Sequence, residues 1–126
     1  MRVLAIDDDV RVRKVLVVML EFWEPPHGCK HEAFFAHNGL EGIEWIEKNG
    51  VPELLLLDVR MPKMNGAEFL QKAHQRQWSL PRVLLLTGYA DDLERHMGSE
   101  ALGMPHLRKP FTIQELYQSL DQLMLR

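Results

Sequence analysis

Pro52-Glu53-Leu54-Leu55-Leu56-Leu57-Asp58 admits two readings that lead to different folds. Leucine is a strong helix former by intrinsic propensity. Yet the apolar run is short for a helix, and Pro52 stands just ahead of it. Both features suit a strand buried on its two faces. With this stretch as a strand, other short apolar runs take the same reading. Val3-Leu4-Ala5-Ile6 is one, closed by Asp7-Asp8-Asp9. Ala33-Phe34-Phe35-Ala36 is another, ended by Asn38-Gly39. Val83-Leu84-Leu85-Leu86 forms a fourth strand and His106-Leu107 a brief fifth.

Segments of helical period lie between these runs. Val12, Val15, Leu16, Met19 and Leu20 repeat at the spacing of one buried helix stripe, and Pro25-Pro26-His27-Gly28 ends it. Leu40, Ile43 and Ile46 mark a second helix, stopped near Asn49-Gly50. Phe69, Leu70 and Ala73 mark a third, opened by Asn65-Gly66 with Glu68 completing a capping box. Leu93, Met97 and Ala101 predict a weak fourth over residues 90–101, with Gly98 inside it. Thr112 and Glu115 form a second capping box ahead of Ile113, Leu116, Leu120 and Leu123. Five strands alternating with five helices predict an α/β domain. Its sheet is parallel, and right-handed crossovers place helices on both faces.

A chain of 126 residues with 46% hydrophobic content fits one globular domain, residues 1–126. The formal net charge of −3 argues against a nucleic-acid surface, and Arg11-Val12-Arg13-Lys14 and Arg108-Lys109 are too short to make one. The single cysteine, Cys29, excludes an internal disulfide and a cysteine-built metal site, and is expected to be half-buried and structural. No run is long and apolar enough to span a bilayer, and acids follow the N-terminus too soon for a signal peptide. The expected location is the cytoplasm.

In open parallel sheets, sites form at the carboxyl ends of the strands. Here those positions carry Asp7, Asp8 and Asp9, then Asp58, then Thr87 and Gly88, then Lys109 and Pro110. Taken singly, each has a plain alternative. Acids after a strand often cap the next helix. Thr87 is also a cap residue, and Lys109 suits a solvated position. Together they are less ordinary, because two carboxylates at 4 Å repel by roughly 4 kcal/mol at an effective dielectric near 20. A hard divalent cation relieves this, and Mg²⁺ is the usual one where phosphate is a co-ligand.

Four motifs carry a family resemblance. Ile6-Asp7-Asp8-Asp9, Leu57-Asp58-Val59-Arg60-Met61-Pro62-Lys63-Met64-Asn65-Gly66, Leu86-Thr87-Gly88 and Arg108-Lys109-Pro110-Phe111 resemble those of response-regulator receiver domains of two-component signalling, of the chemotaxis-regulator type. The resemblance runs from residue 3 to about residue 123. It implies a flavodoxin-like, doubly wound sheet of order 2-1-3-4-5. It implies that Asp58 is the phosphoacceptor and that the metal is Mg²⁺. Asp8 would be a direct ligand and Asp7 would act mainly through water. Asp58 and the backbone carbonyl of Arg60 would complete the protein set.

Thr87 would bond a phosphoryl oxygen. Lys109 would pair with the acceptor and then the phosphate, and Lys109-Pro110 would be cis. Gly88 would leave a path for a donor imidazole. The implied partners are a histidine kinase or histidine phosphotransfer protein and a downstream protein target, with no direct nucleic acid and no membrane. The switching surface would be the fourth helix, fifth strand and fifth helix. Such a domain assists its own phosphorylation and dephosphorylation without being a turnover enzyme.

The chain departs from the pattern at His106, where the family often has an aromatic residue that swings inward with the Thr. Arg60 and Tyr89 flank the acceptor at variable positions, and residues 23–31 are a slightly long, Pro-rich segment. Trp23, Trp45 and Trp78 are expected to pack at helix edges. Two competing functions stand beside this reading. A haloacid-dehalogenase-type phosphatase would need a second acid two residues after the nucleophile, where Arg60 stands. A degenerate receiver would be a phosphorylation-independent interaction module. Nucleotide binding is disfavoured by the lack of a P-loop or Gly-x-Gly-x-x-Gly run. A stand-alone receiver and a domain of a hybrid kinase or longer regulator both fit the sequence.

Overall fold

The four leucines do form a strand. In the computed structural model, which describes residues 1–88 and 103–125, they belong to β3 (Leu54–Asp58). Before β3 come β1 (Arg2–Ile6), α1 (Val10–Phe22), a 3-10 turn at Pro26–Gly28, β2 (Glu32–Ala36) and α2 (Gly39–Asn49). After it come α3 (Gly66–Gln75), β4 (Val83–Thr87), β5 (His106–Arg108) and the C-terminal helix Ile113–Met124. The expected helix over residues 90–101 lies outside the described residues.

All pairings are parallel, in the order β2-β1-β3-β4-β5. Ile6 stands beside Leu57, Asp58 beside Leu86, and Thr87 beside Arg108, so the strands end nearly level. The chain leaves β1 toward β2 and returns to β3 on the other side. That reversal opens a crevice at the carboxyl ends of β1 and β3.

Burial on both faces explains the unbroken apolar runs. Leu4, Ile6, Leu55, Leu57 and Leu85 point to one side, where they meet Ile43 and Ile46 of α2 and Phe69 of α3. Val3, Ala5, Leu54, Leu56, Leu84 and Leu86 point to the other, against Leu16 and Leu20 of α1 and Leu116, Leu120 and Leu123 of the C-terminal helix. Gly42 lets α2 lie directly on β1, because a Cβ there would sit 2.4 Å from Cδ1 of Ile6 and 3.0 Å from the Phe69 ring. Both expected capping boxes are present, at Asn65 with Glu68 and at Thr112 with Glu115.

Four side chains depart from expectation. Val15 is 45% exposed although it fits the α1 stripe: the face of α1 on the sheet is centred on Leu16 and Leu20, and Val15 points past it. Leu40 and Ile113 are exposed because they fall in the first turns of their helices, ahead of the buried residues that contact the strands. Cys29 is exposed, not half-buried, since it follows the 3-10 turn in a surface segment.

Trp23 also corrects the edge-packing reading. It is the C-cap of α1, is only 2% exposed, and its Nε1 donates to Oδ1 of Asp121 at 2.9 Å. Tyr117 donates its hydroxyl to the Met19 carbonyl nearby, at 2.6 Å. These two bonds tie the C-terminal helix to α1. Trp45 and Trp78 do pack at edges, Trp45 tilted against Phe34 and Trp78 beneath the Arg76 guanidinium.

Candidate metal centre

Four of the five strand ends, those of β1, β3, β4 and β5, contribute to the site. Asp58 is the last residue of β3 and is 3% exposed; Asp7 directly follows β1 and is fully buried. Asp8, the next residue, is exposed. One carboxylate oxygen from each of the three can be chosen so that all lie within 4.8 Å of one another. Lys109 follows β5 and reaches into the same space. Its Nζ is 2.7 Å from Oδ2 of Asp7 and 3.2 Å from Oδ1 of Asp58. Thr87 ends β4 and is 2% exposed. The Lys109 amide donates to the Thr87 carbonyl at 2.7 Å, which ties the ends of β4 and β5 together. The Lys109–Pro110 bond is cis. The expected acids, hydroxyl and ammonium therefore come from strand ends on one edge of the sheet.

Backbone contacts hold the acids in place. Oδ1 of Asp7 accepts the Asp9 amide at 2.9 Å. Asp9 caps α1 by accepting the Arg11 amide at 2.8 Å, and that bond, with the Arg11 guanidinium, keeps its carboxyl below the usual range. Asp9 is thus a helix cap, as acids after a strand often are. Arg13 donates from Nη1 to the Asp7 carbonyl at 2.6 Å. Sequence reading missed this contact, because only the turn of α1 brings a residue six positions on back over the strand end. After β3, the Val59 amide donates to the Leu86 carbonyl and the Gly66 amide to the Val59 carbonyl, both at 2.9 Å. Lys63 lies between them at φ 69°, in the left-handed region, and the Met64 amide closes a tight turn onto the Pro62 carbonyl at 2.8 Å.

Among the described residues, the three carboxylates share this space with the Lys109 ammonium. Burial, and next the negative charge of Asp7, push the Asp58 carboxyl up to about 8 despite Lys109. Burial alone would lower the Lys109 pKa, but the charges of Asp58 and Asp7 outweigh it, so the ammonium is held more firmly than usual. Oδ2 of Asp7 is buried, and its close neighbour is the Lys109 ammonium at 2.7 Å, which also serves Asp58. A buried carboxylate oxygen that shares one ammonium with Asp58, beside a third carboxylate, suits a hard oxygen-seeking cation. The donor set fits Mg²⁺.

The other flagged residues sit around this centre. Arg60 is exposed two residues beyond Asp58. Among the described residues, no atom beyond its chain neighbours lies within 4 Å of where a Cβ at Gly88 would stand. His106 is exposed on β5, with Nδ1 2.9 Å from the Met104 carbonyl. Tyr89 lies outside the described residues.

Comparison with known proteins points the same way. The family model described as the response regulator receiver domain matches residues 3–121. Response regulator MprA of Mycobacterium leprae (strain TN) is 35% identical over 126 residues, covering 100% of this chain and 52% of its own length. The transcriptional regulatory protein CpxR homolog of Haemophilus influenzae is 34% identical over 125 residues, covering 99% of this chain and 51% of its own. Chemotaxis protein CheY4 of Vibrio cholerae superposes with a TM-score of 0.77 at 26% identity, covering 97% of each chain. The chain spans about half the length of the curated relatives it matches.

Proposed function

Because this chain belongs to the response regulator receiver domain family, we propose that it accepts a phosphoryl group on Asp58 from a histidine kinase or histidine phosphotransfer protein. Asp7, Asp8, Asp58 and the backbone carbonyl of Arg60 would hold Mg²⁺. The observation that carries the reading is the placement of Asp58, buried beside the Lys109 ammonium at 3.2 Å, which also reaches Asp7 at 2.7 Å.

When bound, Mg²⁺ supplies the positive charge that favours ionised Asp58 and neutralises phosphoryl oxygens. Asp58 then attacks phosphorus in line with the leaving group. The new bond joins its carboxylate oxygen to phosphorus, the bond from phosphorus to the donor imidazole nitrogen breaks, and that nitrogen takes the departing electron pair. Little covalent help is needed for such a transfer, which depends on positioning and charge. Lys109 would exchange Asp58 for a phosphoryl oxygen, and the Thr87 hydroxyl would donate to another. The product is a hydrolysable mixed anhydride, so the domain would reset itself without turning over a substrate.

The phosphoryl group adds roughly two negative charges beside Thr87 and Lys109. The bond from the Lys109 amide to the Thr87 carbonyl would carry any shift of one strand end to the other. The switching surface would comprise residues 90–101, β5 and the C-terminal helix, with His106 as an inward-turning element. We assign the receiver unit a protein target, no direct nucleic acid and a cytoplasmic setting; no described helix is long and apolar enough to cross a membrane. One relative about twice as long is named a transcriptional regulatory protein. If this chain is part of a similar protein, DNA contact would belong to a second domain.

The test is labelling by acetyl phosphate with and without Mg²⁺, read by intact mass. One phosphate should appear with Mg²⁺ in the wild type and none in Asp58→Asn. A folded wild type that stays unlabelled would favour the interaction-module reading instead.

A further inference from the structure

Eight large apolar side chains are exposed among the described residues, and five of them lie on α1: Val10, Val15, Val17, Val18 and Phe22. At 100° per residue, Val15, Val18 and Phe22 fall on the outward face, opposite the buried Leu16 and Leu20. Scattered apolar residues on a surface need no explanation, but a row along one helix marks a contact surface.

The charges on the same helix say what fits there. Arg11, Arg13 and Lys14 all lie in its first half, and Glu21 lies in its last turn, with Glu24 just beyond the C-cap. There is no acid in the first turn and no base in the last. The N-terminus has its acid in the Asp9 cap, which pairs with Arg11 at 3.5 Å, so the outward face carries Lys14 toward one end and Glu21 toward the other. An antiparallel copy of the same helix brings these opposite charges together at both ends. With a two-fold axis near Val18, Lys14 meets Glu21 of the partner subunit and Arg11 faces the end that bears Glu24 of the partner subunit. Val15 and Val18 fill the middle, and Phe22 lies beside the charged pair at each end. A two-fold contact must be self-complementary, and this face is so in both charge and apolarity.

We propose that two copies of this chain associate through antiparallel packing of α1 on α1. The contact is small: the 13 residues of α1 span about 20 Å of helix. It falls below the size of a standard stable interface, so the dimer is weak, with a Kd on the order of 100 µM that rises with salt. Because α1 begins just after Asp8 and Asp9, a dimer joined there would stand beside the acidic centre.

Sedimentation equilibrium from about 10 µM to 1 mM tests this, with far-ultraviolet circular dichroism to show that each variant is folded. Wild type should dimerise, and Val18→Glu should be monomeric. Lys14→Glu and Glu21→Lys should each raise Kd at least about fivefold, through lost attraction and new repulsion. The double variant, or an equimolar mixture of the two single variants, should restore dimerisation, because each arrangement again pairs opposite charges. A wild type monomeric at about 1 mM would overturn the proposal. So would dimers indifferent to Val18→Glu, or charge swaps that fail to restore the contact. If α1 amide signals shift only on adding a histidine phosphotransfer domain, the face belongs to the phosphodonor.

Discussion

Replacing Asp58 by Asn should stabilise the metal-free protein near neutral pH, although Asp58 is nearly inaccessible to solvent. The carboxyl sits at about 8 in the fold and at about 3.9 in an unfolded chain. Below pH 4 it is protonated in both states and does not discriminate between them. As pH rises toward 8, the unfolded carboxyl ionises while the folded one keeps its proton. Stability then falls by up to about 1.4 kcal/mol per pH unit, so a few kcal/mol are lost by pH 7.5. Asn has nearly the same shape and no such titration. It leaves Lys109 paired to Asp7 at 2.7 Å.

In EDTA, Asp58→Asn should therefore match the wild type near pH 4 and exceed it by about 2–4 kcal/mol at pH 7.5. Urea unfolding at several pH values, read by circular dichroism, gives that difference directly. Saturating Mg²⁺ should shrink or reverse it, because only the wild type offers the full ligand set. A difference that stays constant with pH would refute the reasoning, as would a less stable Asn variant at pH 7.5.

Mg²⁺ affinity should rise nearly tenfold per pH unit from pH 6 to 7 and level off above about 8, as binding displaces one proton from Asp58; titration calorimetry in buffers of different ionisation heat counts that proton. Asp8→Ala should lose most of the rise in melting temperature that Mg²⁺ gives the wild type, while the metal-free variant is no less stable; scanning calorimetry with and without the ion checks both. Asp121→Ala should cost about 1–3 kcal/mol in urea unfolding, because it strands the buried Trp23 Nε1 donor. With beryllofluoride bound, the largest amide shifts should fall between residues 87 and 116. His106, exposed in this structure, should lose access to a ring-modifying reagent if it turns inward.

The fold was legible where local chemistry agreed with burial. Leu54–Leu57, flanked by Pro52 and Asp58, has no polar position to leave exposed, so a two-sided strand is the consistent reading. The capping boxes at Asn65 and Thr112 mark helix starts by direct side-chain bonds. What periodicity misses is where a helix lies on the sheet. Val15, Leu40 and Ile113 carry the right spacing but stand off the contact or in a first turn. Trp23 was hidden for the opposite reason. Its burial depends on Asp121, 98 residues away, as its acceptor, a pairing that no local pattern encodes. At the site, the acids, Thr87 and Lys109 were readable because parallel strands end level and place their next residues side by side. The Arg13 contact with the Asp7 carbonyl was not, since it depends on how α1 turns back over β1.

Borohydride reduction of the phosphorylated chain, followed by tandem mass spectrometry, tests the central claim most directly. Hydride attacks the acyl phosphate and converts the modified aspartate to homoserine, which marks its position. After acetyl phosphate and Mg²⁺, the homoserine should appear at residue 58 alone, and in its absence from EDTA controls the metal dependence is read as well. Reduction at Asp7, Asp8 or another acid, with Asp58 intact, would contradict the account.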